Sequence, residues 1–297
     1  MVEPKKEFKP KKAVVVGAGI AGLSAAHFLR KMGVDVVILE KEQYVGGAVR
    51  STLKEEKYLI DFGPLTFPAN AEPILRLARE LSIEPLVVGN ETVSQHRYIY
   101  KNKKLHSIPS SRGEFLKSGL VKFSEKIRSL GGPAMERGGL FNSLLRDQWS
   151  RDQWLKMEKV CSFKWGMGTL TARLEEEFRS KIQYGCEVES IEKNPKGGFK
   201  VRRKDRLMAV DADVVVVATP ASIVGAILKT LDKKIMELLS DITYAPMIMV
   251  YTGFSEKDVP RALDGFGVSV AGSEGIRLLG SVWLSALFPN RAPKGVA

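Results

Sequence analysis

Three glycines and one carboxylate carry the clearest chemical signal in this chain. Gly17, Gly19 and Gly22 stand in G-x-G-x-x-G spacing within VVVGAGIAGLSAAHFLRKMGVDVVILE, and Glu40 closes the apolar run that follows. Each glycine has a separate reason: a tight turn after a strand at 17, close approach of backbone to a pyrophosphate at 19, and close helix-on-strand packing at 22. Ala18, Ile20 and Ala21 complete the turn, whose free N–H groups and helix dipole favour an anion. Glu40, at a strand end, is placed to accept hydrogen bonds from ribose hydroxyls. Together these residues predict a dinucleotide cradle.

Such a cradle needs a strand, a helix and a second strand to hold it. AVVV at 13–16 reads as a central parallel strand buried on both faces. Ala25, Phe28, Leu29 and Met32, at i, i+3, i+4 and i+7, predict the buried face of a helix that Gly33 ends. VDVVILE then resumes a strand, which right-handed crossover makes a parallel neighbour of the first. Further on, EPILRLARELSI is helical by period and RYIYKNKKLHSIP reads as a hairpin, both expected to pack elsewhere than the first sheet. GGPAMERGG at 131–139 reads as a linker. GTLTARLEEEFRSK is helical, and CEVESIEKN, GFKVRRK and RLMAVD alternate as strands. DADVVVVATP is a second fully apolar strand, so the chain is expected to return to the first sheet. YAPMIMVYTGF, FGVSVAG and LLGSVWLSALF predict antiparallel strands of a second domain.

Composition narrows the remaining classes. Lys and Arg exceed Asp and Glu by 46 to 34, a net charge of +12, partly in KKEFKPKK at 5–12. That balance permits attraction to anionic surfaces but reads first as a solvated basic face, and no nucleic-acid partner is expected. Cys161 and Cys186 lack metal-ligand spacing and are expected to be ordinary thiols with no metal site. No apolar run reaches the roughly 18 residues of a membrane span, and the first ten residues do not read as a signal peptide. The expected location is cytoplasmic, with peripheral contact on the inner face of a membrane as the closest association. His27, on the first helix, and His96 and His106, flanking the hairpin, are not expected to be catalysts. Arg97 at the hairpin start would ordinarily be a solvated charge.

EKEQYVGGAVRS, with Gly46 and Gly47 paired after Glu40, resembles the extended motif of the flavin-dependent amine oxidase superfamily, in which the glycine pair lies against the flavin's phosphate and ribityl side. That resemblance implies FAD rather than NAD. IDFGPLTFPANAEPILRLARELSIE, HRYIYKNKKLHSIP, CSFKWGMGTLTARLEEEF, ADVVVVATPAS and LDGFGVSVAGSEGIRLLGSVWLSALFPNRAP, in this order, resemble the oxygen-dependent protoporphyrinogen oxidase family over most of 12–130 and 160–297. The resemblance implies an α/β fold. Its FAD-binding Rossmann-like parallel-sheet domain is discontinuous (11–66 and 161–219), and a second, mixed or antiparallel-sheet substrate domain (67–160 and 220–297) has a shortened helical part. The implied activity is oxidation of a porphyrinogen, protoporphyrinogen IX or coproporphyrinogen III, to the porphyrin with O2 in heme biosynthesis. By the same resemblance FAD contacts fall on the Gly17–Gly22 turn, Glu40, Lys41, Ala48, and the loop of Gly63, Pro64, Leu65 and Thr66. Val188 matches a position that binds adenine through backbone atoms, and Arg97 one that meets a substrate propionate. No catalytic side chain is implied, because the flavin carries the chemistry.

Three departures from the family pattern set the alternatives. Ser129 to Val160 is shorter than the family's helical segment, the family's late flavin-facing block is not found up to Ala297, and Trp165 stands where the family usually has the first glycine of a pair. Turnover is therefore expected to suffer more than nucleotide binding. The alternatives are another oxidoreductase of the amine oxidase or carotenoid desaturase type, or a shortened, non-catalytic member. The blocks after residue 90 favour porphyrinogens over the first of these.

Overall fold

The fold was obtained as a computed structural model that describes residues 9–89, 96–108, 159–204 and 206–297. The expected linker at 131–139 and the start of the basic tail lie outside the described residues.

In chain order, β1 (Lys12–Val16) leads through the glycine turn into α1 (Ile20–Lys31) and back to β2 (Asp35–Leu39). A hairpin of β3 (Ser51–Lys54) and β4 (Tyr58–Asp61) precedes β5 (Phe67–Pro68), α2 (Glu72–Glu80) and β6 (Val87–Gly89). The second hairpin, β7 (Tyr98–Lys101) and β8 (Lys104–Ser107), forms as expected around Asn102 and Lys103, whose positive φ values suit a two-residue turn. β9 (Val160–Phe163) and α3 (Gly168–Phe178) lead to β10 (Ile182–Gln183). A meander of β11 (Val188–Lys193), β12 (Phe199–Arg203) and β13 (Arg206–Ala212) runs into β14 (Val214–Val217). Then follow α4 (Ala221–Leu228), α5 (Lys233–Ser240), β15 (Gly267–Val270), β16 (Gly280–Val282) and α6 (Leu284–Leu287).

The first sheet is parallel throughout, in the order β10-β2-β1-β14. β14 pairs with β1 along its whole length, Val14 facing Val215, so the late valine run does return to the first sheet. Alternation along β1 splits the core into two layers. Ala13 and Val15 face α1, α2 and α3 with Val36, Ile38, Leu77, Leu174 and Phe178. Val14 and Val16 face the meander with Leu39, Ile191 and Val201. A parallel strand covered on both sides has no polar face to offer, which is why both valine runs are continuous.

Three expectations need correction. The buried face of α1 is Gly22, Leu23, Ala26 and His27, whereas Phe28 is 37% and Met32 75% exposed. Small residues bring α1 close to β1, and this rotates the larger apolar side chains outward; Phe28 lies instead under the Arg76 guanidinium, 5.5 Å away. Secondly, α2 joins the first core through Leu77 and Ala78 rather than packing elsewhere, while β7 and β8 do lie in a separate sheet, β16-β15-β7-β8. Thirdly, the C-terminal segment is only partly antiparallel. Residues 242–254 form no regular structure, β15 pairs parallel with β7 and antiparallel with β16, and WLSALF turns helical at α6.

An ion pair out of reach of solvent ties distant segments together. Arg291 Nη1 donates to Asp61 Oδ2 at 2.7 Å, with side chains 2% and 0% exposed. Arg291 Nη2 donates to Ser162 Oγ at 2.6 Å. Asp61 Oδ1 accepts from Ser51 Oγ and, at 2.8 Å, from the Met167 N–H at the start of α3. Tyr251 Oη reaches the Asp61 carbonyl at 2.6 Å; burial, then the charge of Asp61, pushes this phenol's pKa up to about 12. Removing one partner strands a buried charge, so Arg291→Met should lower stability by about 3–5 kcal/mol in urea unfolding. Adding Asp61→Asn should recover part of that loss, and a simple sum of the two single losses would show that the pair is not coupled.

A second charged joint holds three helices. His27 Nδ1 lies 2.9 Å from Glu177 on α3, and Nε2 lies 2.9 Å from Glu80 on α2. Lys31 and Arg76 also reach Glu80, at 2.8 and 3.0 Å. Hydrogen bonds from Lys31, then His27, then Arg76 hold the Glu80 pKa down from 4.5 to about 2. A depressed carboxylate contributes stability above its unfolded pKa and loses it as pH falls through the folded one. Acid unfolding followed from pH 5 to 2 should therefore be shallower in Glu80→Gln than in the wild type. Identical acid limbs would mean that the joint contributes nothing.

Candidate functional site

The glycine turn sits where β1 and β2 end and α1 begins. Gly17 N–H donates to the Leu39 carbonyl at 2.8 Å, and Leu23 N–H returns to Gly19 O at 3.0 Å to open the helix. A Cβ on Gly22 would fall 1.9 Å from the Gly17 carbonyl oxygen, so no other residue fits between helix and turn. The paired glycines come to the same place: Gly46 N–H donates to Ala18 O at 2.8 Å, and Gly46 bridges Gly19 in parallel fashion. Gly46 has φ +100 and a Cβ there would meet Val49 O at 2.6 Å. Ala48 is exposed, and its carbonyl lies 2.2 Å from where a Cβ on Gly63 would stand, so the 63–66 loop rests directly on the glycine-pair loop. Thr171 Oγ1, bonded to Val49 O at 2.8 Å, holds that loop to α3.

Glu40 is buried, and its carboxylate already serves the backbone. Oε2 accepts the Ala18 N–H at 2.6 Å and Oε1 the Glu42 N–H at 2.9 Å. Two ionised oxygens offer about four acceptor positions, so room for hydroxyl donors remains. Cys186 N–H donates to the Glu40 carbonyl at 2.7 Å, which brings the start of β11, and with it Val188, beside β2. The Val188 side chain itself packs in the second core layer. Lys41 points outward and pairs with Glu42 at 3.4 Å. Pro64 is exposed, and Leu65 and Thr66 are half-buried.

The expected residues at 17–22, 40, 46–48 and 63 thus come together at one edge of the sheet, with backbone N–H groups and a helix N-terminus at its centre. Such an edge suits the ADP portion of a dinucleotide. One residue escaped the sequence reading: Thr219, after β14, covers Gly17, and its buried Oγ1 has no hydrogen-bond partner among the described residues. Its position just beyond an apolar strand, in ATP, was the available signal. An unspent hydroxyl against a phosphate turn fits a polar ligand there. These residues can bind and orient a dinucleotide; among them is no acid–base pair for catalysis.

Arg97 stands apart, at the start of β7 in the β16-β15-β7-β8 sheet, and it is not the solvated charge that a hairpin arginine would ordinarily be. It is 7% exposed, with its guanidinium 5.2 Å from the Phe266 ring centroid, and burial lowers its pKa from the ordinary value. Nearby, Arg261 lies 4.5 Å from the Tyr98 ring and bonds Asp264 at 2.8 Å, and Trp283 packs on Tyr98 at 5.4 Å. Arg261 also lines a cavity of about 560 Å³ with Val259, Phe288 and Lys294; none of the glycine-turn residues lines it. His96 and His106 are engaged with the carbonyls of Asp264 and Lys101, and neither cysteine is in a disulfide. No cluster of metal-binding side chains occurs among the described residues, nor any helix long and apolar enough to cross a membrane. Trp165, the departure from the glycine pattern, is 53% exposed at the turn before α3, where it meets Lys164 and not the core.

Residues 20–165 and 152–297 match the profile of the flavin containing amine oxidoreductase family. Protoporphyrinogen oxidase from tobacco chloroplasts is 24% identical over 95% of the chain, which spans 65% of that relative's length. Coproporphyrinogen III oxidase of Bacillus subtilis is 25% identical over 96% of the chain and 75% of its own length. Among solved structures, a protein from Exiguobacterium sp. 255-15 provisionally named a protoporphyrinogen oxidase superposes on 97% of the chain and 76% of its own, with a TM-score of 0.76 at 17% identity.

Glu40→Ala would release both the Ala18 and Glu42 N–H groups and remove the carboxylate expected to accept from ribose hydroxyls. ADP and FAD affinity, read by fluorescence titration, should fall roughly ten- to a hundredfold, the equivalent of about 1.5–3 kcal/mol. Unchanged affinity would mean that the ribose is held elsewhere.

Proposed function

The chain belongs to the flavin containing amine oxidoreductase family and its cofactor is FAD, and on that premise we propose that it oxidises a porphyrinogen, protoporphyrinogen IX or coproporphyrinogen III, to the porphyrin with O2 as acceptor. The observation that carries this reading is the span of the likeness to relatives named for porphyrinogen oxidation. It runs over 95–96% of the chain, through the parallel sheet and the β16-β15-β7-β8 sheet alike, and not only through the nucleotide turn. On this reading 11–66 with 161–219 hold the cofactor, α2 packs in their core, and the rest of 67–160 with 220–297 supplies the substrate wall.

The chemistry of the second sheet supports the same substrate class. A porphyrinogen is a broad apolar macrocycle edged with carboxylates, which needs an apolar wall and a few cations. Arg97 against Phe266, beside Tyr98, Trp283 and Arg261, offers both. An arginine already stripped of water gains more from a carboxylate than a solvated one does. When bound, FAD would supply the redox chemistry of the three two-electron oxidations that separate a porphyrinogen from its porphyrin, with O2 as the final acceptor. The turn at 17–22 and the loops at 46–48 and 63–66 bind and orient it. Arg97 binds a propionate and fixes the macrocycle's rotation; no side-chain base is required. Peripheral contact with an anionic membrane completes the proposal, supported by the net charge of +12 and the exposed Met247, Ile248, Val250 and Phe254.

FAD-loaded protein should convert freshly reduced coproporphyrinogen III or protoporphyrinogen IX to fluorescent porphyrin with matching O2 uptake. Arg97→Ala should raise the KM roughly ten- to a hundredfold with little change in kcat. A fully flavin-loaded preparation that forms no porphyrin would overturn the assignment, and an unchanged KM would remove Arg97 from it.

A further inference from the structure

At the rim of the glycine cradle, Arg50 holds its guanidinium 3.9 Å from the Tyr44 ring centroid and 4.7 Å from that of Phe62. The Arg50 carbonyl accepts the Phe62 N–H at 2.8 Å, so residues 50 and 62 face each other at the mouth of the β3–β4 hairpin. The stem runs beside Gly46, where a Cβ would fall 2.8 Å from Arg50 Cγ. Arg50 is therefore one contact removed from the segment that touches the phosphate turn, and two residues beyond Ala48.

Its partners are unusual for this chain. Arg30, Arg79, Arg173, Arg202 and Arg291 each meet a carboxylate. Arg50 meets two ring faces, no carboxylate pairs with it among the described residues, and its buried Nε has no hydrogen-bond partner. Ring faces attract a guanidinium and fix its plane while leaving the N–H edge unspent. A half-buried guanidinium held by ring faces, without a carboxylate counter-ion among the described residues, is complementary to a planar or tetrahedral oxyanion.

We propose that Arg50 is an oxyanion-binding residue of this site, taking a phosphate of the flavin dinucleotide or a carboxylate of the substrate docked against it. The proposal rests on the assignment of the 17–66 segment to the flavin, and it stands independently of which substrate is oxidised.

Two ligand pairs separate the sources. FMN and riboflavin differ only in the flavin-side phosphate, and are titrated into the apoprotein by flavin fluorescence. Mesoporphyrin IX and its dimethyl ester differ in carboxylate, and are titrated into the FAD-loaded protein by absorbance. In Arg50→Gln the charged member of one pair should bind roughly ten- to a hundredfold more weakly, with its uncharged counterpart nearly unchanged. Loss in the flavin pair identifies the phosphate, and loss in the porphyrin pair the carboxylate. Arg50→Lys, which keeps the charge but not the planar fork, should recover part of the affinity. Should Arg50→Gln not fold, Phe62→Leu loosens the clamp and should weaken the same charged ligand selectively. Equal losses for both members of a pair, or no loss in either pair, overturn the proposal. Absence of porphyrinogen oxidation would instead count against the substrate assignment and leave the flavin titrations readable.

Discussion

Four separate stretches of chain depend on one carboxylate. Asp61 ends β4 and meets Ser51 from β3, the first turn of α3 through Met167, the C-terminal segment through Arg291, and, by its carbonyl, Tyr251. Withdrawing an aspartate and an arginine from water is tolerable only when each remaining donor and acceptor is met in good geometry. The pair therefore acts as a register mark: unless β4 and the C-terminal segment arrive together, a charge is left bare in the interior. The loop at 63–66, which rests on Ala48, begins two residues after this mark. The cradle's outer lip is positioned by a contact that contains no ligand-binding residue.

What could be read in the sequence follows from the range of the forces involved. The two valine runs, the glycine turn and the Asn102–Lys103 hairpin are set by local sterics and by burial on both faces, so they are visible in a few adjacent residues. The face of α1 was misread because apolar period alone does not say that Gly22 and Ala26 are wanted for closeness rather than Phe28 and Met32 for bulk. The burial of Arg97 is not visible locally, because the residue that covers it, Phe266, lies far along the chain, so position alone left a solvated charge beside the propionate role that the resemblance implies. Asp61 and Arg291 lie 230 positions apart, beyond any local signal. At the site, the glycines and Glu40 were legible, whereas Thr219 needed the fold to bring β14 beside Gly17.

The two sheets divide the work by the kind of interaction they offer. Around the parallel sheet, anions are met mainly by backbone N–H groups and a helix end, whose geometry is set by main-chain folding and tolerates side-chain drift. In the β16-β15-β7-β8 sheet and its neighbours, arginines are laid on aromatic rings, where direction is set by side-chain packing. The first arrangement suits a ligand common to many relatives. If the proposed substrate role holds, the second suits a ligand that distinguishes them, and substitutions around Tyr98, Phe266 and Trp283 would shift preference without disturbing the nucleotide turn.

The pairing of β1 with β14 also has a meaning for synthesis. Asp213 accepts the N–H groups of Lys11 and Lys12, the latter across 201 positions, so the central strand gains one neighbour only when that late segment exists. At about 5–20 residues per second, a ribosome needs roughly 10–40 s to deliver it. Throughout that interval β1 has β2 on one side and a bare row of valine backbone on the other, a ready template for foreign strands. The nascent chain is most exposed to misassembly while its nucleotide turn is already written, and a chaperone or a pause in elongation would act on that edge first.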